Sequence, residues 1–331
     1  MGMKRKIFYI VLCLGVVLLG FGIVSLSFGT AAIPVGDIVR SITRPETVSS
    51  EARAILWEIR FPRLLAAALV GGGLALSGLV FQALLKNPLA DPFILGISSG
   101  AALGTVVASV LGGTAAAILE KIFAFVGAML TVLIVFYVAR VKERLYPHTM
   151  LLTGVIINAF FSASIIFLFS VFKSGEMESV FFWLMGDLSV TSIKEVGTLF
   201  AITCACFVAI YYFSFPLNLL LGGEELALTL GVEVERVKKV LFVIASLLAA
   251  AVVSAVGVIG FVGLIIPHMV RMVIGSDHRL VIPASFLLGA SFLVISDICS
   301  RLLVSPIELP VGVITAILGA PFFIYLLRRA L

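Results

Sequence analysis

The sequence predicts an all-α polytopic membrane protein with about ten transmembrane helices. Three observations carry this expectation. Of 331 residues, 61% are hydrophobic and only 12% are charged, whereas a soluble domain carries about 25% charged residues. Apolar runs of roughly 20 residues recur from end to end, each long enough to cross a hydrocarbon core of about 30 Å. The alternating segments of about 10 residues that mark a transmembrane barrel are missing from the sequence.

The elements follow in order. The first run, Ile7 to Phe28, comes after Lys4, Arg5 and Lys6. It is longer than the apolar region of about 7–15 residues in a signal peptide, so it reads as an uncleaved helix over 7–28. Residues 29–61 are more polar and read as an extracytoplasmic loop. The second span, 62–85, has Pro62 in its first turn, where the missing N–H is harmless. It also holds Gly71, Gly72, Gly73 and Gly78, small residues that let helices approach closely in lipid. Spans three and four cover 93–111 and 122–139. Span five, 150–171, carries Thr153, Asn158, Ser162 and Ser164. Span six covers 196–215. The one long inner connection is 214–240. There Gly222 and Gly223 break the chain, and Glu224 to Leu230 reads as a short helix with acids in its first turn, which suits the helix dipole. Gly231 can end it in the left-handed conformation. Span seven is 237–256. Span eight, 259–274, is short and contains Pro267, which predicts a break or a tilt. Span nine, 282–300, holds Asp297, the one clear acid inside an apolar run, one turn before Arg301. Span ten is 311–327. Residues 1–331 form one transmembrane domain.

Lysine and arginine set the orientation. With ten spans and the N-terminus inside, fourteen fall inside and nine outside, together the 23 of the composition. Both termini are then cytoplasmic. The outer nine are Arg40, Arg44, Arg53, Arg60, Arg63, Lys121, Lys173, Lys194 and Arg301. Arg60 and Arg63 stand three residues apart on one helical face. They read either as snorkelling anchors or as a contact for a soluble partner. The basic residues form loop-end clusters rather than a stripe, which argues against nucleic acid. Cys13, Cys204, Cys206 and Cys299 lie in apolar runs without metal-ligand spacing and read as small buried side chains. His148, His268 and His278 are scattered, so a metal site or a membrane-embedded enzyme finds no support. No GxxxxGK[ST] loop occurs, so this chain lacks that means of hydrolysing ATP.

Four stretches carry a family resemblance: "IRFPRLLAAALVGGGLALSGLVFQALLKNPLADPFILGISSGAALG" from Ile59, "GEELALTLGV" from Gly223, "GVIGFVGLIIPHMVRMVIGSDHR" from Gly257 and "ELPVGVITAILGAPFFIYLL" from Glu308. Together they resemble the FecCD-type permease subunits of ATP-binding-cassette importers for iron–siderophore complexes, haem and cobalamin. The resemblance implies a type II importer permease fold in the cytoplasmic membrane and a homodimer with one pathway on its two-fold axis. It implies two cytoplasmic ATPase subunits that use the ATP, and a periplasmic or lipid-anchored substrate-binding protein. No cofactor is expected on this chain. Carried over residue by residue, it gives Arg60, Arg63 and Arg301 to docking of the binding protein. Leu217, Gly222, Gly223, Glu224, Glu225, Leu230, Gly231 and Val232 fall in the segment that couples to the ATPase. Asn87, Leu89, Pro147 and His148 fall at the inner gate. Thr153, Asn158 and Ser162 line the pathway. Ferric siderophore is the first expected cargo, with cobalamin and haem as alternatives. An ion-coupled secondary transporter is the alternative of another class. It would rest on Asp297, which can equally pair with Arg301.

Overall fold

The computed structural model describes residues 3–29, 31–111, 116–141, 144–172, 177–189 and 192–330. Lys142 and Lys173, counted in the orientation above, lie outside them. Helix α1 spans Met3–Ser27, α2 Val35–Thr43, α3 Ser50–Ala54, α4 Phe61–Leu84, α5 Ile97–Leu111 and α6 Ala116–Ala139. A two-residue antiparallel ladder, β1 (Arg140–Val141) with β2 (Arg144–Leu145), leads into α7 (Pro147–Val171). Then come α8 (Met177–Leu184), α9 (Ile193–Tyr212), α10 (Ser214–Leu221), α11 (Glu224–Thr229), α12 (Val234–Val256), α13 (Val262–Ile274), α14 (His278–Leu302) and α15 (Val311–Ala330). Among the described residues, seven helical stretches are long and apolar enough to cross a membrane and three more are shorter and apolar. Seven and three make the ten that hydropathy predicts.

The segment 29–61 departs from the expected loop. It holds α2, a 3₁₀ turn at Pro45–Thr47, and α3, which Ser49 caps by accepting the Ala52 N–H at 3.3 Å. From Ser50 to Leu84 the chain stays helical, although Pro62 stands in the first turn of α4, as expected. A π turn over Ile55–Arg60 precedes it. That wider turn accommodates a residue that cannot donate to the carbonyl four positions back.

Helix α4 is the axis of the bundle. Of its most apolar window 83% is buried, against 6% for α1 and 17% for α7. Its glycines make this possible. A Cβ at Gly71 would overlap the Gly289 carbonyl of α14, and one at Gly289 would overlap the Gly71 carbonyl. The two backbones are therefore in direct contact, as small residues permit where no hydrophobic effect drives helices together. Ser77 of α4 donates to the Ala245 carbonyl of α12 at 3.0 Å. The eighth span is short as predicted: Gly257 (φ +79) ends α12, Phe261 (φ +69) precedes α13, and Pro267 lies inside α13.

Candidate functional sites

At one end of the bundle the three arginines assigned to docking converge, and all three are turned inward. Arg60, Arg63 and Arg301 are 5%, 7% and 4% exposed. Arg60 donates to the carbonyls of Leu26 (2.7 Å), Ser27 (3.2 Å) and Ala31. Arg301 donates to the carbonyls of Ser25 (3.3 Å) and Phe28 (3.1 Å) and to the Ser25 hydroxyl (2.8 Å). Both therefore cap the C-terminus of α1, whose last carbonyls have no partners within the helix. Arg63 Nε donates to Asp297 Oδ1 at 2.7 Å and its Nη1 to Glu308 Oε2 at 2.6 Å. Asp297 Oδ2 lies 3.1 Å from Arg301 Nη2, an ion pair without the alignment of a hydrogen bond. The three guanidinium groups expected at the docking surface are thus engaged within the chain. Open helix-end carbonyls and a buried carboxylate claim their N–H groups first. Arg40, Arg44, Glu46, Glu51, Arg53 and Glu58 are the exposed charges of the preceding segment.

At the opposite end lies the connection 214–240. It forms the expected short helix, α11, and a second one, α10, ahead of it, with Gly223 at φ +113 between them. Helix α11 ends in a Schellman motif: Val232 N–H donates to the Ala227 carbonyl and Gly231 N–H to the Leu228 carbonyl, both at 3.0 Å. Gly231, at φ +82, supplies the left-handed residue this requires. Glu224 is the hub. Its Oε1 meets Lys86 Nζ and its Oε2 meets Lys238 Nζ, each at 2.7 Å. Burial pushes its carboxyl up, and Lys238 and Lys86 more than reverse this, holding it below the ordinary range. Lys86, just past α4, sits at φ +49, a conformation that costs a non-glycine residue roughly 1–2 kcal/mol. Neither lysine was singled out in the sequence, because the contacts are long-range. Leu226, Leu228 and Leu230 project outward, 48%, 59% and 58% exposed, while Leu217 is 1% exposed. Leu217 therefore belongs to the core, beneath the surface that the other leucines form. Gly222 and Glu225 are exposed, and Val232 is half-buried.

The gate residues form two separate local structures. Asn87 Oδ1 accepts the Leu89 N–H at 2.9 Å and the Asn87 carbonyl accepts the Ala90 N–H at 3.0 Å, a compact turn. Pro147 opens α7 and His148 beside it is exposed. Among the described residues no hydrogen bond joins the two pairs. On α7, Asn158 is half-buried and Ser162 exposed, four residues apart on one face. Thr153 is buried. Five residues of helix rotate it well away from Asn158, so it does not share a lining with them. Among the described residues no group of three metal-capable side chains occurs.

The sequence profile of the FecCD transport family matches residues 17–329. A relative from Halobacterium salinarum, named a cobalamin import system permease, is 42% identical over 285 residues, covering 86% of this chain and 75% of its own length. A relative from Bacillus subtilis, named a probable siderophore transport system permease, is 39% identical over 276 residues, covering 83% of each chain. Among solved structures, the inward-facing conformation of a transporter provisionally assigned to the metal-chelate ABC type matches with a TM-score of 0.86. It is 30% identical and covers 97% of this chain and 99% of that one.

Proposed function

The chain belongs to the FecCD transport family, and we propose that it forms the translocation pathway of an ATP-binding-cassette importer for a metal chelate. The observation that carries this is the segment 214–240: a capped short helix whose exposed leucines stand on a frame of ion pairs, in a chain without a phosphate loop. Such a surface suits a soluble ATPase, in which ATP hydrolysis would reside. A second copy of this chain would cover the largely exposed α7 and complete the pathway. The end that bears the arginine cluster would face outward and receive a binding protein through exposed charges such as Arg44 and Arg53, with both termini in the cytoplasm. Uncharged Asn158 and Ser162 would give a weakly interacting pathway, so affinity would lie in the binding protein.

Ferric siderophore is the first reading of the cargo, supported by the B. subtilis relative. Cobalamin is the second, supported by the H. salinarum relative at slightly higher identity. A strain lacking its own importers, given this chain with its ATPase and binding protein, should accumulate one of labelled ferrichrome, haem or cyanocobalamin in an ATP-dependent way. Uptake that persists without the ATPase, or follows a proton gradient, would overturn the class.

A further inference from the structure

Asn218 lies in the middle of α10, and its side chain is spent wholly on the corner between α13 and α14. Nδ2 donates to Asp277 Oδ1 at 2.8 Å. Oδ1 accepts the His278 backbone N–H at 2.8 Å and lies 3.0 Å from His278 Nδ1. Asp277 can only accept, which orients the amide, so Nδ1 of the ring carries the proton. Asp277 in turn caps α14 and binds Arg279 through Nε (3.0 Å) and Nη2 (2.7 Å). Arg279 and Asn218 hold the Asp277 carboxyl well below the usual carboxylate range. His278 is 1% exposed and lines, with Gln82, Arg271 and Leu217, a cavity of about 380 Å³ beneath the segment. Arg271 donates to Gln82 Oε1, and Gln82 Nε2 donates to the carbonyls of Gly263 and Leu264 at 3.1 Å each. The corner is therefore a fixed body, not a loose turn.

Apolar contact through Leu217 would keep α10 against the bundle but let it slide. Directional, part-buried bonds fix its register. Helix α11 has its own tie, Glu224 to Lys86 at the end of α4. The two short helices thus grip α14 and α4, the pair whose backbones touch at Gly71 and Gly289 and which Arg63 and Asp297 join at the far end.

We propose that Asn218 is a positioning residue for coupling: it latches α10 to the first turn of α14, so that displacement of the segment by the ATPase moves the α4–α14 pair as one piece. This rests on the reading of 214–240 as the ATPase contact. Asn218→Asp sets a carboxylate against Asp277. Asn218→Leu removes the same bonds without adding charge and leaves Asp277 its cap on the Arg279 N–H and its pairing with the guanidinium.

The test uses the full complex in proteoliposomes, measuring ATP hydrolysis together with uptake of cyanocobalamin or ferrichrome, whichever the wild type carries. Asn218→Asp should co-purify with the ATPase and hydrolyse ATP, but import roughly tenfold less per ATP. Asn218→Leu should show a similar loss. Wild-type uptake per ATP in either variant that assembles overturns the latch. So does failure of both Asn218→Asp and Asn218→Leu to assemble, which makes Asn218 a folding residue only. A wild-type complex that neither binds the ATPase nor imports would instead overturn the importer reading beneath it.

Discussion

Asp297→Asn tests whether the arginine cluster holds the fold together. Asp297 is 1% exposed and stands between two guanidinium groups, Arg63 at 2.7 Å and Arg301 at 3.1 Å. Asparagine keeps the shape and one acceptor but removes the charge. Arg63 retains only Glu308 as a charge partner, and Arg301 retains the α1 carbonyls. Removing one partner of a buried ion pair costs about 3–5 kcal/mol. The surviving bonds place this case near the lower figure, about 3 kcal/mol. If the scaling of large domains holds, melting falls by roughly 6–12 °C. Glu308 is the internal control: its side chain is 39% exposed, and half-exposed pairs contribute about 0–1 kcal/mol. Thermal unfolding of both variants in detergent, followed by the fluorescence of Trp57 and Trp183, decides the matter. A wild-type melting temperature for Asp297→Asn would sink the structural account, as would an equal loss from Glu308→Gln.

Two further perturbations probe the interior. Burial pushes the Asp91 carboxyl up to about 6, although the Phe93 N–H it accepts pulls the other way. The folded state then holds a proton that the unfolded chain releases near 3.8, so stability falls as pH rises from about 4 to about 6. Asp91→Asn should match the wild type below pH 4 and exceed it above pH 6, by at most about 3 kcal/mol; parallel stability–pH curves would refute this. Gly71→Val should cost at least about 3 kcal/mol, because its Cβ meets backbone that no rotamer change can move. Gly15→Ala in α1, where nothing lies within 4 Å, should be neutral or stabilising in the same melting assay.

Local signals in the sequence were sufficient for the helices. Ten apolar runs, the Gly222–Gly223 break and the left-handed Gly231 each depend on a few neighbouring residues, and each has its counterpart in the fold. The same locality explains why the helix ahead of Pro62 was not expected. Proline in a first turn is the common case, and the π turn that lets the helix begin at Ser50 has no short-range mark. Lys86, Lys238 and Asn218 escaped notice for another reason. Their partners lie 138, 14 and 59 residues away, and a lone lysine or asparagine near a loop looks like solvated surface until those partners are placed.

The arginines show how a correct physical premise led to an incomplete conclusion. Charge at the edge of an apolar run does demand a partner, because an unpaired guanidinium in a low-dielectric setting is costly. The sequence offered Asp297 to Arg301 alone, which left Arg60 and Arg63 either to snorkelling or to a partner outside the chain. It could not reveal that α1 ends beside them. A helix terminus presents carbonyls that appear in no residue count, and Arg60 and Arg301 satisfy them. With the backbone included, three cations face two carboxylates and the open end of a helix dipole. The cluster is then nearly balanced from within, which is why three arginines can be buried together at the head of an apolar bundle.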